Sequence, residues 1–284
     1  MTARTLRSLL FVPGDSARKL ERALQCPADA LVLDLEDSVH VGAKAEARQV
    51  VSEALARGAA QYRIVRVNAL DSGLVDDDLA ALRASAPDAV MLPKCGSLAD
   101  IETVVSRMDA LGLPPIPVLP VATESARALR NLMRSDWSHP RLLGLTWGAE
   151  DIAADVGALA NREDDGFTGI FRLAREVCLL AAREAGVLAF DTVYVDVRDP
   201  QGCLREASRA YRWGFDGMMA LHPAQVEVIH AAFAPTAAEL DWARRVLDVL
   251  DRAGQGVGVL DGRMIDRPHR RAAERMLRLA APSA

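Results

Sequence analysis

Pro117–Val118–Leu119–Pro120–Val121–Ala122–Thr123–Glu124–Ser125 and Leu142–Leu143–Gly144–Leu145–Thr146–Trp147–Gly148–Ala149–Glu150–Asp151 are two short apolar runs, each ending in a carboxylate. Runs of this length, bounded by Pro, Gly or acidic residues, read as buried parallel strands with the carboxylates just past the strand ends. In parallel α/β proteins that edge is where ligands bind. Two carboxylates from neighbouring strands can there hold one hard divalent cation.

The same pattern recurs on both sides of this pair. Residues 7–14, 30–34, 62–67, 89–92, 187–191 and 217–221 read as further strands. Helical patterns intervene over 16–25, 42–57, 76–84, 97–111, 125–134, 170–185, 200–213 and 223–233, with Ser16 and Ser97 as N-caps. Residues 161–169 read as a polar loop following Asp151. About eight strand–helix units at a spacing near thirty residues predict an α/β protein of the (β/α)₈ TIM-barrel type. A doubly wound open sheet is the alternative. Against it, no GxGxxG follows the first strand, and polar residues recur at every strand end rather than at one switch point. The expected organisation is a barrel over 1–234 and a C-terminal helical extension over 235–284, packed on the barrel or on a neighbouring subunit. That extension reads as a helix over 237–253, a Gly-rich turn over 254–258, a short extended piece and a helix over 268–280.

At 284 residues, with half of them hydrophobic and a mean hydropathy of +0.07, the chain can bury a large core. A net charge of −5 and a pI near 5.6 argue against a general nucleic-acid binder. Arg263, Arg267, Arg270, Arg271, Arg275 and Arg278 cluster late in the chain and read as a solvated helix face. Cys26, Cys95, Cys178 and Cys203 make no ligand pattern and are expected as buried thiols of a reducing compartment. The apolar stretch before Gly14 is too short for a signal-peptide core or a membrane span, so the expectation is a soluble, cytoplasmic protein without membrane or nucleic-acid partners.

On the barrel reading, Glu36, Asp37, Arg66, Lys94, Glu124, Glu150, Asp151, Asp191 and His222 converge on one mouth. Oxygen ligands without a His or Cys cluster favour Mg²⁺, or Mn²⁺, over Zn²⁺. Mg²⁺ takes only one or two protein carboxylates, a count that Glu124 and Asp151 meet. Acidic residues at helix starts also serve the helix dipole, so capping competes with this reading. An arginine in a buried strand needs an anionic partner. Arg66 therefore pairs with Glu36 or Asp37, or turns its planar fork to a substrate carboxylate or oxyanion. Lys94 reads as electrostatic rather than as a Schiff-base lysine, and His222 as structural. No GxSxG, P-loop or HExxH occurs.

Many ordered blocks together resemble the citrate lyase β-subunit-like family within the HpcH/HpaI aldolase superfamily. They include Arg7–Ser8 with Leu10–Phe11–Val12–Pro13–Gly14, Asp34–Leu35–Glu36–Asp37–Ser38–Val39, and Lys44 with Ala47–Arg48. Arg66–Val67–Asn68, Met91–Leu92–Pro93–Lys94, Glu124 and Gly148 with Glu150–Asp151 continue the series. The last blocks are Gly214–Phe215–Asp216–Gly217, His222–Pro223–Ala224–Gln225 and Gly262–Arg263–Met264–Ile265–Asp266. The resemblance implies a (β/α)₈ barrel, Mg²⁺ on Glu124 and Asp151, and substrate binding by Arg66; Glu36 and Asp37 beside it are expected to share in substrate binding. It also implies a homotrimer, or dimer of trimers, in which catalytic Asp266 enters a neighbouring subunit's site. The implied activity is cleavage or formation of a C–C bond in a β-hydroxyacyl-CoA of the citryl, malyl or citramalyl type, giving a 2-oxo acid and an acyl-CoA. Alternatives are a 2-oxo-acid aldolase without a thioester, and a citrate lyase β subunit working with α and acyl-carrier subunits. The chain departs from the family pattern at Met218, where lysine is usual, and at Thr123, where Ile or Val precedes Glu-Thr.

Overall fold

A computed structural model of the chain describes residues 5–163, 166–253 and 256–280. The first half alternates strictly: β1 (Ser8–Pro13), α1 (Ala17–Leu24), β2 (Ala30–Asp34), α2 (Lys44–Ala56), β3 (Tyr62–Arg66), α3 (Val75–Ala81), β4 (Ala89–Leu92) and α4 (Leu98–Ala110). There follow β5 (Val118–Pro120), α5 (Ala126–Leu132), β6 (Gly144–Leu145), α6 (Ala149–Val156), the short strands β7 (Arg162–Glu163) and β8 (Gly166–Phe167), and α7 (Gly169–Glu184). The remainder is β9 (Leu188–Asp191), α8 (Pro200–Trp213), β10 (Gly217–Ala220), α9 (Pro223–Phe233), α10 (Ala237–Ala253), β11 (Gly258–Leu260), β12 (Arg263–Ile265) and α11 (Arg267–Ala280).

Eight parallel strands run in the order β5-β4-β3-β2-β1-β10-β9-β6. Parallel bridges Val118–Leu142 and Val121–Thr146 join the two ends and close the barrel. Two apolar layers hold it. Leu9, Val32, Ile64, Met91, Leu119, Phe190 and Met219 fill the interior, whereas Leu10, Leu31, Leu33, Val65 and Val90 face the helices. Neighbouring residues of one strand thus supply opposite layers, which is why the strands read as unbroken apolar runs rather than as alternation.

Local chemistry sets the helix starts. Ser16 Oγ accepts from the Lys19 N–H at the head of α1, and Ser125 Oγ from that of Ala128 at the head of α5. Ser97 precedes α4 without a side-chain cap bond; the Asp100 carboxylate instead accepts from the Gly96 N–H at 2.7 Å. His222 and Gln225 form a capping box on α9, so this histidine is structural, as expected.

Three stretches differ from the sequence reading. Residues 149–151, read as the end of a strand stretch, begin a helix, α6, that runs on through residues given no element. The expected loop over 161–169 carries the antiparallel β7–β8 pair, whose intervening Asp164 and Asp165 lie outside the described residues. The extended piece of the tail is an antiparallel hairpin, β11–β12; Gly254 and Gln255 of the Gly-rich turn lie outside the described residues.

Helices α10 and α11 and this hairpin enclose a separate apolar cluster built on Ala243, Val246, Leu250, Leu260, Ile265 and Ala273. Helix α11 is tied to the end of the barrel where strands begin: Thr5 Oγ1 donates to the Arg278 carbonyl at 3.2 Å, and Arg275 donates to that of Phe215. Of the late arginines, Arg263, Arg267, Arg271 and Arg278 are exposed. All four cysteines are free and buried. Met218 faces the helix-side core, while Met219 faces the interior. Among the described residues no helix is long and apolar enough to cross a membrane.

Candidate active site

Parallel register places Asp34 beside Arg66 at the exits of β2 and β3. The guanidinium grips Asp34 with two parallel bonds, Nε to Oδ1 and Nη2 to Oδ2, both 2.7 Å. A further Arg66 nitrogen, Nη1, lies 3.1 Å from Glu36 Oε2, and the Phe11 ring packs 4.8 Å from the guanidinium carbon. Burial works against the Arg66 charge, but Asp34 and Glu36 outweigh it and hold the group protonated. Burial likewise pushes the Asp34 carboxyl up, yet the Arg66 fork leaves it below its ordinary value. The main anchor of Arg66 is thus Asp34, a partner the sequence reading missed although both residues end their strands. Asp37 does not reach Arg66; it lies 3.3 Å from Lys94 Nζ, which also bonds Glu36.

Lys94 has φ of 52°, a left-handed conformation uncommon for a residue with a Cβ. In that conformation its main-chain N–H donates to Glu124 Oε2. Burial, reinforced by the charge of Asp151, pushes the Glu124 carboxyl up to about 8. Asp151 stands in the first turn of α6, and Gly148 is its N-cap. A Cβ on Gly148 would lie 2.7 Å from Glu124 Cγ, so only glycine lets this strand exit pass so close to the carboxylate. Two hydrogen bonds brace the neighbourhood: Ala122 N–H to Thr146 C=O, and Ala126 N–H to Asp155 Oδ2 of α6, both 2.8 Å.

Glu124 and Asp151 both line a cavity of about 240 Å³ at the C-terminal mouth of the barrel, together with Asp34, Arg66, Glu150 and Trp147. They also border a groove of about 580 Å³ that holds Lys94. Among the described residues no group of three or more His, Cys, Asp or Glu side chains is placed to hold a metal. Two carboxylates, one buried and electrostatically strained by the other, nonetheless fit a hard cation that keeps its remaining positions for water and substrate oxygens. A site of this donor set suits Mg²⁺ or Mn²⁺ and not Zn²⁺.

Other expected members of the mouth have different work. Asp191 is buried and fully engaged: it accepts from Trp147 Nε1 at 2.7 Å, from Thr192 N at 3.0 Å and from Arg175 at 2.5 and 3.2 Å. It therefore props the Trp147 wall of the cavity from behind. Glu150 accepts from Asn161 Nδ2 at 2.9 Å and lies 3.3 Å from Arg162, whose Nη2 donates to the Val193 carbonyl. The β7–β8 segment is thereby laced to the mouth. Asp266 lies between β12 and α11, its Oδ1 2.8 Å from His269 Nδ1, and is not among the residues lining this chain's cavity. Sequence reasoning missed Asp34 as the Arg66 partner, Trp147 and the Asn161–Arg162 tie. Parallel strand register was the available signal for the first; the other two carry none.

Comparison with known proteins identifies the family. Residues 7–223 match the model of the HpcH/HpaI aldolase/citrate lyase family. The citrate lyase subunit beta of Escherichia coli K12 is 40% identical over 277 residues, covering 93% of this chain and 90% of that protein. A (3S)-malyl-CoA thioesterase of Cereibacter sphaeroides is 36% identical over 276 residues, covering 94% and 92%. The crystal structure of protein CitE from Mycobacterium tuberculosis in complex with magnesium, acetoacetate and coenzyme A superposes with a TM-score of 0.82 at 33% identity, covering 99% of each chain. With a family model matched over residues 7–223 and a relative 40% identical along nearly its whole length, the chain belongs to the HpcH/HpaI aldolase/citrate lyase family and is a lyase of that family.

Proposed function

We propose that this protein is a Mg²⁺-dependent carbon–carbon lyase that cleaves, or forms, a β-hydroxyacyl-CoA, with a 2-oxo acid and an acyl-CoA as the other partners. The observation that carries the reading is the buried Glu124 carboxylate, lifted to about 8 and sharing one cavity with Asp151 and Arg66. Its cost is relieved if a cation joins the pair. The likeness to CitE with magnesium and coenzyme A supports both the metal and the thioester.

In the cleavage direction the substrate hydroxyl gives up its proton to a water or hydroxide in the cavity and its carbon becomes a carbonyl. The electrons of the breaking C–C bond pass to the thioester as an enolate, which then takes up a proton, so nothing is oxidised or reduced. Glu124 and Asp151 would hold Mg²⁺, which when bound would supply Lewis-acid polarisation of the substrate oxygens. Arg66, held rigid by Asp34 and Glu36, presents its remaining N–H groups to the oxygen on which charge changes. Asp37 and Lys94 stand at the rim as a charge pair beside Glu36. On the family resemblance, the proton at the thioester α-carbon falls to Asp266 of a neighbouring subunit in a homotrimer; in its own chain Asp266 does not line the cavity.

The test is Mg²⁺ titration of the purified protein with malyl-, citramalyl- and citryl-CoA, following glyoxylate, pyruvate or oxaloacetate. Metal-dependent release of at least one, abolished by Glu124→Gln, is expected; turnover indifferent to EDTA sinks the proposal. Free CoA thiol is measured in parallel, since the thioesterase relative makes hydrolysis the competing outcome.

A further inference from the structure

We infer that the 2-oxo acid handled by this site is a monocarboxylate with a small apolar substituent, and not a dicarboxylate such as oxaloacetate. This rests on the lyase reading above and narrows it. Charge and surface at the cavity decide it together.

Among the residues lining the cavity, Arg66 is the cation and Asp34, Glu124, Glu150 and Asp151 are the carboxylates. Arg66 is already committed through Nε and Nη2 to Asp34 and through Nη1 to Glu36. Of its five N–H groups about two remain, enough for one substrate oxygen pair. Lys94 does not line this cavity; it belongs to the adjoining groove and is paired with Glu36 and Asp37. A divalent cation on Glu124 and Asp151 neutralises those two and accepts the carboxylate next to the oxo carbon. A second substrate carboxylate would face Asp34 and Glu150 with no unpaired cation among the lining residues.

Beyond the charged groups, Ser38, Thr146 and Thr192 are the neutral polar side chains of the wall, and most of the remainder is apolar. Phe11, Met91, Val121, Val193 and Met219 line the cavity and are continuous with the apolar filling of the barrel interior. They come from five barrel strands or their exits, so the apolar floor is built by the fold rather than by one mobile loop. A methyl or ethyl group on the oxo carbon gains by burial against such a wall, whereas a carboxylate loses its hydration there with hydroxyls alone, and no second cation, to receive it.

The test is the Mg²⁺-loaded protein with acetyl-CoA in the condensation direction, comparing kcat/KM for pyruvate, 2-oxobutyrate and oxaloacetate. Calorimetric binding of each acid, with and without Mg²⁺, is measured alongside. The expected result is at least tenfold tighter Mg²⁺-dependent binding of pyruvate and 2-oxobutyrate than of oxaloacetate, with kcat/KM in the same order. Met219→Lys should raise relative affinity for oxaloacetate by placing a second cation at the floor. Equal or tighter binding of oxaloacetate by the unaltered protein overturns this inference while leaving the lyase reading standing. Mg²⁺-dependent binding of glyoxylate alone, tested as a fourth acid, also overturns this inference and leaves the lyase reading standing; if none of the four binds in a Mg²⁺-dependent way, the lyase reading falls and this inference with it.

Discussion

Replacing Glu124 with glutamine should make the metal-free protein more stable at alkaline pH, although it removes a proposed metal ligand. The carboxyl is 6% exposed, and its pKa is pushed from the ordinary 4.5 to about 8 by burial and by Asp151. The folded state holds the proton more tightly than the unfolded chain. Stability is therefore lost as pH rises from about 4.5 to about 8, at about 1.4 kcal/mol per pH unit. Over the whole window the loss is about 5 kcal/mol, and between pH 6 and pH 9 it is about 3 kcal/mol. Glutamine keeps the shape and the acceptor for the Lys94 N–H but carries no charge in either state. Urea unfolding of EDTA-treated protein at pH 6, 7.5 and 9 is the assay. The wild type should weaken relative to Glu124→Gln as pH rises, and Mg²⁺ should restore the wild type alone. Parallel pH profiles, or a glutamine variant less stable at pH 9, would refute the claim that burial and Asp151 strain this carboxylate.

Gly148→Ala should lower Mg²⁺ affinity at least about tenfold with the fold retained, because the new Cβ meets Glu124 Cγ at 2.7 Å; circular dichroism and metal titration together check this. Arg175→Met should cost about 3–5 kcal/mol in urea unfolding by stranding buried Asp191, and should redshift Trp147 fluorescence as that wall loosens. Arg66→Ala and Asp266→Ala should each be inactive alone. Mixed and refolded one to one, they should recover about a quarter of wild-type activity if each site takes Arg66 from one subunit and Asp266 from the next. No recovery would remove Asp266 from the neighbouring site.

The fold was legible because its determinants are local. Each barrel strand buries both faces, so runs such as Ala30–Asp34 and Ala89–Leu92 announce themselves by apolar continuity, and the structure keeps those bounds. Helix α6 was legible too, although the sequence reading assigns no helix there: Gly148 before it, two acids in its first turn and Gly157 in the left-handed C-cap are ordinary boundary marks. Its eight residues were too few for a periodic signal to override the polar composition that follows. The β7–β8 pair is only two residues per strand and takes its stability from Arg162, stacked 4.0 Å from Phe167 and bonded to Val193. Contacts of that range leave no periodic trace in sequence.

The site divides along the same line. Glu124, Asp151 and Arg66 were found because a strand-end charge in an apolar run is costly unless it has a task. What those charges touch was not legible, since partners come from register and from distant segments. The Asp34–Arg66 fork depends on β2 and β3 pairing without a slip, and a one-residue shift would put Arg66 opposite Leu33. Asp191 shows the converse: it ends its strand as Glu124 follows its own, yet Arg175 from α7 consumes it. The difference between a free and a spent carboxylate at this mouth is the presence of one arginine on the helix behind the strand. Glu124 has no such arginine bonded to it among the described residues; its donor is a main-chain N–H from a residue held at positive φ. A carboxylate kept short of counter-charge by the fold is one on which a cation gains most by binding.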